Sequence, residues 1–473
     1  MSFYNRTQQE NDADFADSML DKIRDLLIDH NRETGMNIPT EYDLELSDTQ
    51  RLAFSKFRSG ESLLILGSAG TGKSRLIKEF QKYIKRNDQS KTMYITSTTG
   101  ISAYNIGGIT INSFMSIGTG DAPVEVLLKR LRYKIGIKDR IRRTDILVID
   151  EISMMSADLF EKINVIFQTL RKSRLPFGGI QLILTGDFLQ LETIFSNANA
   201  DNRFIIESEL FNKMFVKSTV VLKENFRQRS DNKYIDILMR IRRAEQTDAD
   251  ILQLKNRLLK RDEQKGEIVH LVSSNWKAQQ INTERLTSIN SPESYYETVY
   301  VKTGDKDTCE LLQRELQSQF SQRGIETVAL RRGCRVLLIK NLDVSNGLVN
   351  GSIGTVEDLF TEGVKVKFDN GVTQIINRVE WEIELDNARV VLQQIPLMLA
   401  YSITIHKSQS LSLDNAVLDL ADCFCNHMVY VALSRVRSLS GLYLKSFNPK
   451  KITVNPKLLE FINTIENKDV CKI

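Results

Sequence analysis

One stretch constrains the fold of this 473-residue chain more than any other: LLILGSAGTGKSRLI, from Leu63 to Ile77. Four apolar residues lead into a glycine-rich turn, and Lys73 and Ser74 then open a helix-like stretch. Within GSAGTGKS, the residues Gly67, Ser68, Ala69, Gly70, Thr71, Gly72, Lys73 and Ser74 stand at phosphate-loop spacing. The glycines let backbone N–H groups turn inward around phosphates, Lys73 can reach the terminal phosphates, and the Ser74 hydroxyl can ligate Mg²⁺. Such a loop needs a buried strand before it and a helix after it, so it commits this region to an α/β fold with a parallel sheet.

Further short apolar runs support that reading: SLLIL (62–66), TMYIT (92–96), ILVID (146–150) and IQLIL (180–184). A second series follows: EIVHLV (267–272), RVLLI (335–339), AYSITI (400–405), AVLDL (416–420) and LYLKS (442–446). Turn residues bound these runs and helical stretches separate them, which fits buried strands of two parallel-sheet lobes. Residues 346–385 differ, with glycine turns, an NG and a DNG alternating with β-branched runs. They read as a small antiparallel β insertion spanning 346–395. Residues 1–44 are polar and mixed in charge, with a short amphipathic helix expected from Ser18 to Ile28.

Asp150 and Glu151 end the run ILVID-E. At the end of a central strand Asp150 can hold Mg²⁺, and Glu151 can orient or deprotonate an attacking water. Together with the loop, this pair implies splitting of a phosphate bond in ATP but does not say for what purpose. Composition adds little, since 41% apolar and 26% charged residues are ordinary for a globular protein. No apolar run is long enough to read as a membrane span, and the N-terminus has no secretion signal. Five scattered cysteines suggest an intracellular, reducing compartment. Cys423, Cys425 and His427 form a CxCxH cluster whose narrow spacing argues against a metal site. The net charge of +4 is mild, but Lys129–Arg143 holds eight Lys or Arg against one Asp, which fits a solvated helix face or a phosphate-tracking surface.

The purpose emerges from DLFEKINVIFQTLRKSRLPFGGIQLILTGDFLQL (158–191), which strongly resembles the signature of the PIF-type helicases of superfamily 1, class B, related to RecD-like motors. Other blocks resemble that family's motifs in order: LSDTQRLAF around Gln50, TSTTGISAYNIGGITINSF (96–114), LKENFRQ (222–228), LAYSITIHKSQSLSLDNAVLDL (399–420) and YVALSRVRSL (430–439). The resemblance implies two RecA-like lobes with ATP between them: 45–220, including a wedge at about 116–140, and 221–345 plus 396–473, with 346–395 as an SH3-like insertion. It implies that Gln50 reads adenine, that Gln190 senses the γ-phosphate, and that Arg227 and Arg435 are fingers on the transition-state charge. For DNA it implies contacts from Ser97, Thr98, Thr99, Asn112 and Phe114 in the first lobe, and from His406, Lys407 and Ser408 in the second. The implied activity is ATP-dependent 5′→3′ travel on single-stranded DNA and opening of forked duplex, by a monomer. RNA remains an open alternative substrate, as do a translocase with little unwinding and a nucleotide-gated DNA-binding scaffold.

The chain departs from the family pattern at four places. Glu192 and Thr193 replace two prolines after Leu191, Asn112 replaces a histidine, Ser410 replaces a glycine, and Met428 replaces a glutamine. None belongs to the hydrolytic set.

Overall fold

The computed structural model describes residues 46–470, apart from 193–202, 229–230, 260–267, 324–325, 344–345, 349, 386–387 and 410. The expected N-terminal helix, Thr193 and Ser410 therefore lie outside the described residues.

The first lobe is a six-stranded sheet in the order β3-β2-β4-β5-β1-β6. Its strands are β1 (Leu63–Gly67), β2 (Met93–Ser97), β3 (Ile109–Thr110), β4 (Ile146–Asp150), β5 (Gln181–Gly186) and β6 (Thr219–Leu222). Every pairing is parallel. All five residues of β1 and of β4 are buried, as expected of strands covered on both faces. On one face, Phe57 of the helix Asp48–Arg58 stacks on Phe80 of the helix Lys73–Asn87 at 4.1 Å. On the other, the helix Ala157–Arg171 buries Phe160, Ile163, Ile166 and Phe167.

The region expected as a wedge forms two short helices, Val124–Leu131 and Ile135–Arg143, which bury Leu127, Leu131, Ile137 and Ile141. Its basic run splits into two environments. Arg130, Arg132, Lys134, Arg142 and Arg143 are exposed, whereas Arg140 is buried. Arg140 donates to the carbonyl of Phe114 at 2.9 Å, with its guanidinium 5.7 Å from that ring's centre.

The first strand of the second lobe is β7 (His270–Val272), and a large antiparallel region follows it. Its strands are β8 (Glu293–Glu297), β9 (Val299–Thr303), β10 (Thr327–Arg331), β11 (Arg335–Leu338), β12 (Ile353–Leu359), β13 (Gly363–Phe368), β14 (Thr373–Asn377), β15 (Val379–Leu385), β16 (Ala388–Gln394) and β17 (Leu397–Leu399). They form a five-stranded sheet, β14-β13-β12-β11-β17, a three-stranded sheet, β15-β16-β9, and the pair β10-β8. The helix Lys306–Arg323 packs on this region, with Phe320 edge-on to Trp381 at 5.1 Å.

Two expectations need correction here. The antiparallel region starts near residue 293 rather than 346, because β9 pairs with β16 and β11 with β12. RVLLI is not a strand of the second parallel sheet, since β11 runs antiparallel between β12 and β17. A fully buried strand shows the same continuous apolar run in either kind of sheet, so the pattern alone could not choose.

The chain then returns to the second lobe as β18 (Ser402–Thr404), β19 (Ala416–Asp419) and β20 (Leu442–Ser446). These join β7 in a parallel sheet, order β18-β7-β19-β20. The C-terminal helix Pro456–Val470 crosses back to the first lobe, where Phe461 meets Phe188 at 5.4 Å and Phe211 at 6.1 Å. Among the described residues, no helix is long and apolar enough to cross a membrane.

Candidate nucleotide site and nucleic-acid face

The carboxyl ends of β1 and β4 open onto one edge of the first sheet, the usual place for a ligand in an open α/β fold. The turn after β1 takes shape because glycine stands where other residues would be strained. Gly70 and Gly72 have φ of +87° and +84°, a left-handed geometry that side chains disfavour. A Cβ on Gly67 would lie 2.4 Å from the Thr71 hydroxyl. The helix then starts at Lys73, whose ammonium donates to the carbonyls of Gly67 (2.6 Å) and Ser68 (3.2 Å). Burial lowers the Lys73 pKa, opposed by the carboxylates of Asp187, Glu151 and Asp150.

Asp150 is held by two hydroxyls. Ser102 donates to one carboxylate oxygen at 2.6 Å, and Thr185 donates to the other. Glu151 follows with φ of +54°. Desolvation raises its pKa to about 7, with Asp150 adding to the rise and Lys73 opposing it. One carboxylate is thus fixed for a cation and the other is poised to exchange a proton near neutrality.

The second half of the chain closes over this turn. Asn225 donates to Ala69 O at 3.0 Å, Phe226 N donates to Gly70 O at 2.9 Å, and Ala69 N donates to the Tyr430 hydroxyl at 3.3 Å. Between the halves lies a cavity of about 1180 Å³, lined by residues 69–74, Asp150, Glu151, Gln190, Arg227 and Arg435, among others. Burial lowers the Arg227 pKa to about 9, with Arg435 adding to the effect, and burial lowers the Arg435 pKa to about 10. Both guanidiniums stay cationic at neutral pH. The glycine turn, the ammonium of Lys73 and these guanidiniums suit a polyphosphate. The Ser74 hydroxyl and the Asp150 carboxylate suit Mg²⁺, a hard cation that prefers oxygen ligands.

Gln50 lies beneath the turn, with both ends of its amide engaged: Ser47 N donates to its oxygen at 3.1 Å, and its nitrogen donates to Thr71 O at 3.2 Å. Gln190 donates to Asp187 at 3.3 Å. Asp187 in turn is gripped by Arg242 of the helix Asn232–Arg242, at 2.5 and 3.3 Å. Burial opposes ionisation of Asp187, yet Arg242 holds its carboxyl below the usual range. Removing one member of a buried pair costs about 3–5 kcal/mol, so Arg242→Leu should lower unfolding stability by that amount. Urea denaturation of Arg242→Leu and of the double variant with Asp187→Leu checks this, and the double variant should recover most of the loss.

The residues expected on DNA divide into two groups. Phe114 is wholly buried, 5.1 Å from Tyr94, so it is a core residue and not a base platform. Ser97 and Ser408 are also wholly buried, and their hydroxyls donate to the carbonyls of Asp150 (3.1 Å) and Ile405 (2.7 Å). Hydroxyls turned toward carbonyls inside the fold offer nothing to a phosphate, so these two residues brace their loops. Thr98, Thr99, Asn112, His406 and Lys407 are half-buried. Thr98 donates to Glu151 O at 2.7 Å, which ties this face to the backbone of Glu151. Asn112 donates to Gly118 O at 2.7 Å. His406 faces the ring of Phe424, 6.2 Å away and 65% exposed.

Several contacts of the site were assigned no role by motif reading, although most lie inside the quoted blocks. Ser102, Thr185, Asn225 and Tyr430 are unremarkable residue types, and Arg242 carries no local pattern linking it to Asp187. The hydroxyls of Thr110 (3.2 Å) and Ser113 donate to Glu315 of the helix Lys306–Arg323, which joins the antiparallel region to the first lobe.

A family model described as PIF1-like helicase matches residues 45–250, and one described as DNA helicase Pif1, 2B domain, matches residues 318–359. A relative from Xenopus laevis, named ATP-dependent DNA helicase PIF1, is 33% identical over 98% of this chain. The chain spans about two thirds of the vertebrate relatives' length: 70% of the Xenopus protein and 64% of the rat and zebrafish proteins. The Bdellovibrio bacteriovorus ATP-dependent DNA helicase Pif1 is 31% identical, covering 90% of this chain and 93% of its own length. The Pif1 helicase structure from Candida albicans is 31% identical, with a TM-score of 0.69 over 89% of this chain and 99% of that one. Bacteroides Pif1 in complex with ADP-AlF4 gives a TM-score of 0.73 at 26% identity, over 89% and 97%. With the motif order, the two parallel sheets and the shared cavity, these similarities place the chain in the PIF1-like helicase family.

Proposed function

We propose that this chain is an ATP-driven motor that travels 5′→3′ on single-stranded DNA and opens duplex at a fork. One observation carries the reading: the glycine turn and Glu151 of one lobe line the same cavity as Arg227 and Arg435 of the other. A site built from two bodies changes when either body moves. Phosphates bound in it draw the halves together, and their release lets the halves part.

Each residue then has a task. Lys73 and the turn's N–H groups hold the phosphates, and Glu151 takes a proton from the attacking water. Arg227 and Arg435 stabilise charge that develops on the transferred group. Ser74 and Asp150 would hold Mg²⁺, which neutralises phosphate charge when bound. Gln190, through Asp187 and Arg242, carries the state of the site to the second lobe. Half-buried Thr98, Thr99, Asn112, His406 and Lys407 supply the DNA grips, and Gln50 sits beside the turn for the base.

Duplexes with a single 5′ or 3′ tail test the reading. Strand separation with the 5′ tail alone, together with hydrolysis stimulated by single-stranded DNA, is expected. Robust DNA-stimulated hydrolysis without strand separation would instead indicate a translocase.

A further inference from the structure

Two residues past the sensor Gln190, the family's first proline is replaced here by Glu192. Its carboxylate oxygens accept one hydrogen bond each from the other half of the chain. Asn426 donates at 3.0 Å and Asn455 at 2.9 Å. Asn426 stands two residues before the helix Met428–Leu433, just beyond which lies Arg435. Asn455 stands just before the C-terminal helix Pro456–Val470.

The two asparagines are themselves joined. Asn455 N donates to His427 Nε2 at 3.3 Å, and His427 N donates to Thr453 O at 2.9 Å. His427 holds φ of +63° at the start of the Arg435 helix. Around Glu192, the same turn is anchored by Asp187 on Arg242 and by Phe188 on Phe461. A carboxylate with both oxygens engaged fixes two donors in one plane. A proline at this position would stiffen its own loop but could accept nothing through its side chain.

We infer that Glu192 is a positioning residue that, when the two halves are closed, locks the Gln190 turn to the helix leading into Arg435, so that sensor and finger are set together for hydrolysis. The inference rests on the ATPase reading above. It makes the rigidity of the sensor turn depend on the second lobe, rather than on the turn's own covalent stiffness.

The test is steady-state ATPase with saturating oligo-dT, alongside binding of a fluorescent ATP analogue and thermal melting. Glu192→Ala should lower kcat about tenfold, with KM for ATP, analogue affinity and melting temperature nearly unchanged. Glu192→Gln keeps one acceptor and should fall between the two. Asn455→Ala reads the same joint from the other lobe, and Glu192→Ala with Asn455→Ala should be no worse than Glu192→Ala alone. A kcat for Glu192→Ala within about twofold of wild type overturns the inference, as do losses that multiply in the double variant. Wild-type hydrolysis in the same assay tests the parent reading. Its absence overturns both, whereas active wild type beside equally active Glu192→Ala overturns the inference alone.

Discussion

Glu151→Gln should lower DNA-stimulated kcat by about 10²- to 10⁴-fold, the range for loss of a positioned general base, while ATP still binds. The amide keeps the shape of the carboxylate and cannot take the proton. Backbone geometry should survive, because the constraints on Glu151 are made by its carbonyl. Thr98 Oγ1 donates to that carbonyl at 2.7 Å and Met154 N donates at 3.0 Å.

The pH profile makes the assignment specific. Desolvation, and then Asp150, raise the Glu151 pKa to about 7. A base works only when unprotonated, so wild-type kcat should rise by up to about tenfold per pH unit below 7 and level off above it. Glu151→Gln should lose that rising limb as well as the rate. Persistence of the limb in the variant would assign the ionisation to another group.

Legibility followed the chemistry of each residue. The glycine turn could be read because positive φ at Gly70 and Gly72 and the crowding at Gly67 admit little else. Asp150 could be read because a carboxylate ending a fully apolar strand has few structural uses. Four of the six strands of the first lobe, β1, β2, β4 and β5, announce themselves as apolar runs, whereas the short edge strands β3 and β6 do not. The limits of the antiparallel region did not, because β8 and β9 carry mixed residues such as ESYYE and VYVKT with no clear period.

Direction was the other hidden quantity. A motif states that Ser97, Phe114 and Ser408 are present but not which way they face, and all three point inward. The same holds for Arg140, indistinguishable in sequence from its exposed neighbours and buried against Phe114. Arg242 was illegible for a different reason. Its partner Asp187 lies 55 residues away, and only the docking of the two lobes brings them together.

Arg435→Ala should cost about 10³-fold or more in kcat, as removal of an arginine finger does in phosphoryl transfer. Arg435 is 2% exposed, and its fork is fixed by Nε donating to Val431 O (2.9 Å) and Nη2 to the Ser434 hydroxyl (2.7 Å). Those bonds come from the helix just before it and from that helix's C-cap, so the guanidinium is aimed before any ligand arrives and little ordering remains to be done. Arg227 donates to the Ser434 carbonyl at 3.3 Å, which holds it beside Arg435 on the same cavity. Burial first, and then the neighbouring Arg435 cation, lower the Arg227 pKa, so part of the strain in this site is repulsion between two cations. Polyphosphate relieves that repulsion, most of all where negative charge grows during transfer, so the variant should lose kcat far more than ATP affinity. Arg435→Lys keeps the charge but not the planar fork, and a compact ammonium cannot span Val431 O, the Ser434 hydroxyl and a phosphate oxygen together. It should therefore remain closer to Arg435→Ala than to wild type. Single-turnover hydrolysis with DNA present separates the step from product release; a wild-type rate in Arg435→Ala would remove Arg435 from the reaction, and one in Arg435→Lys would remove the need for its planar fork.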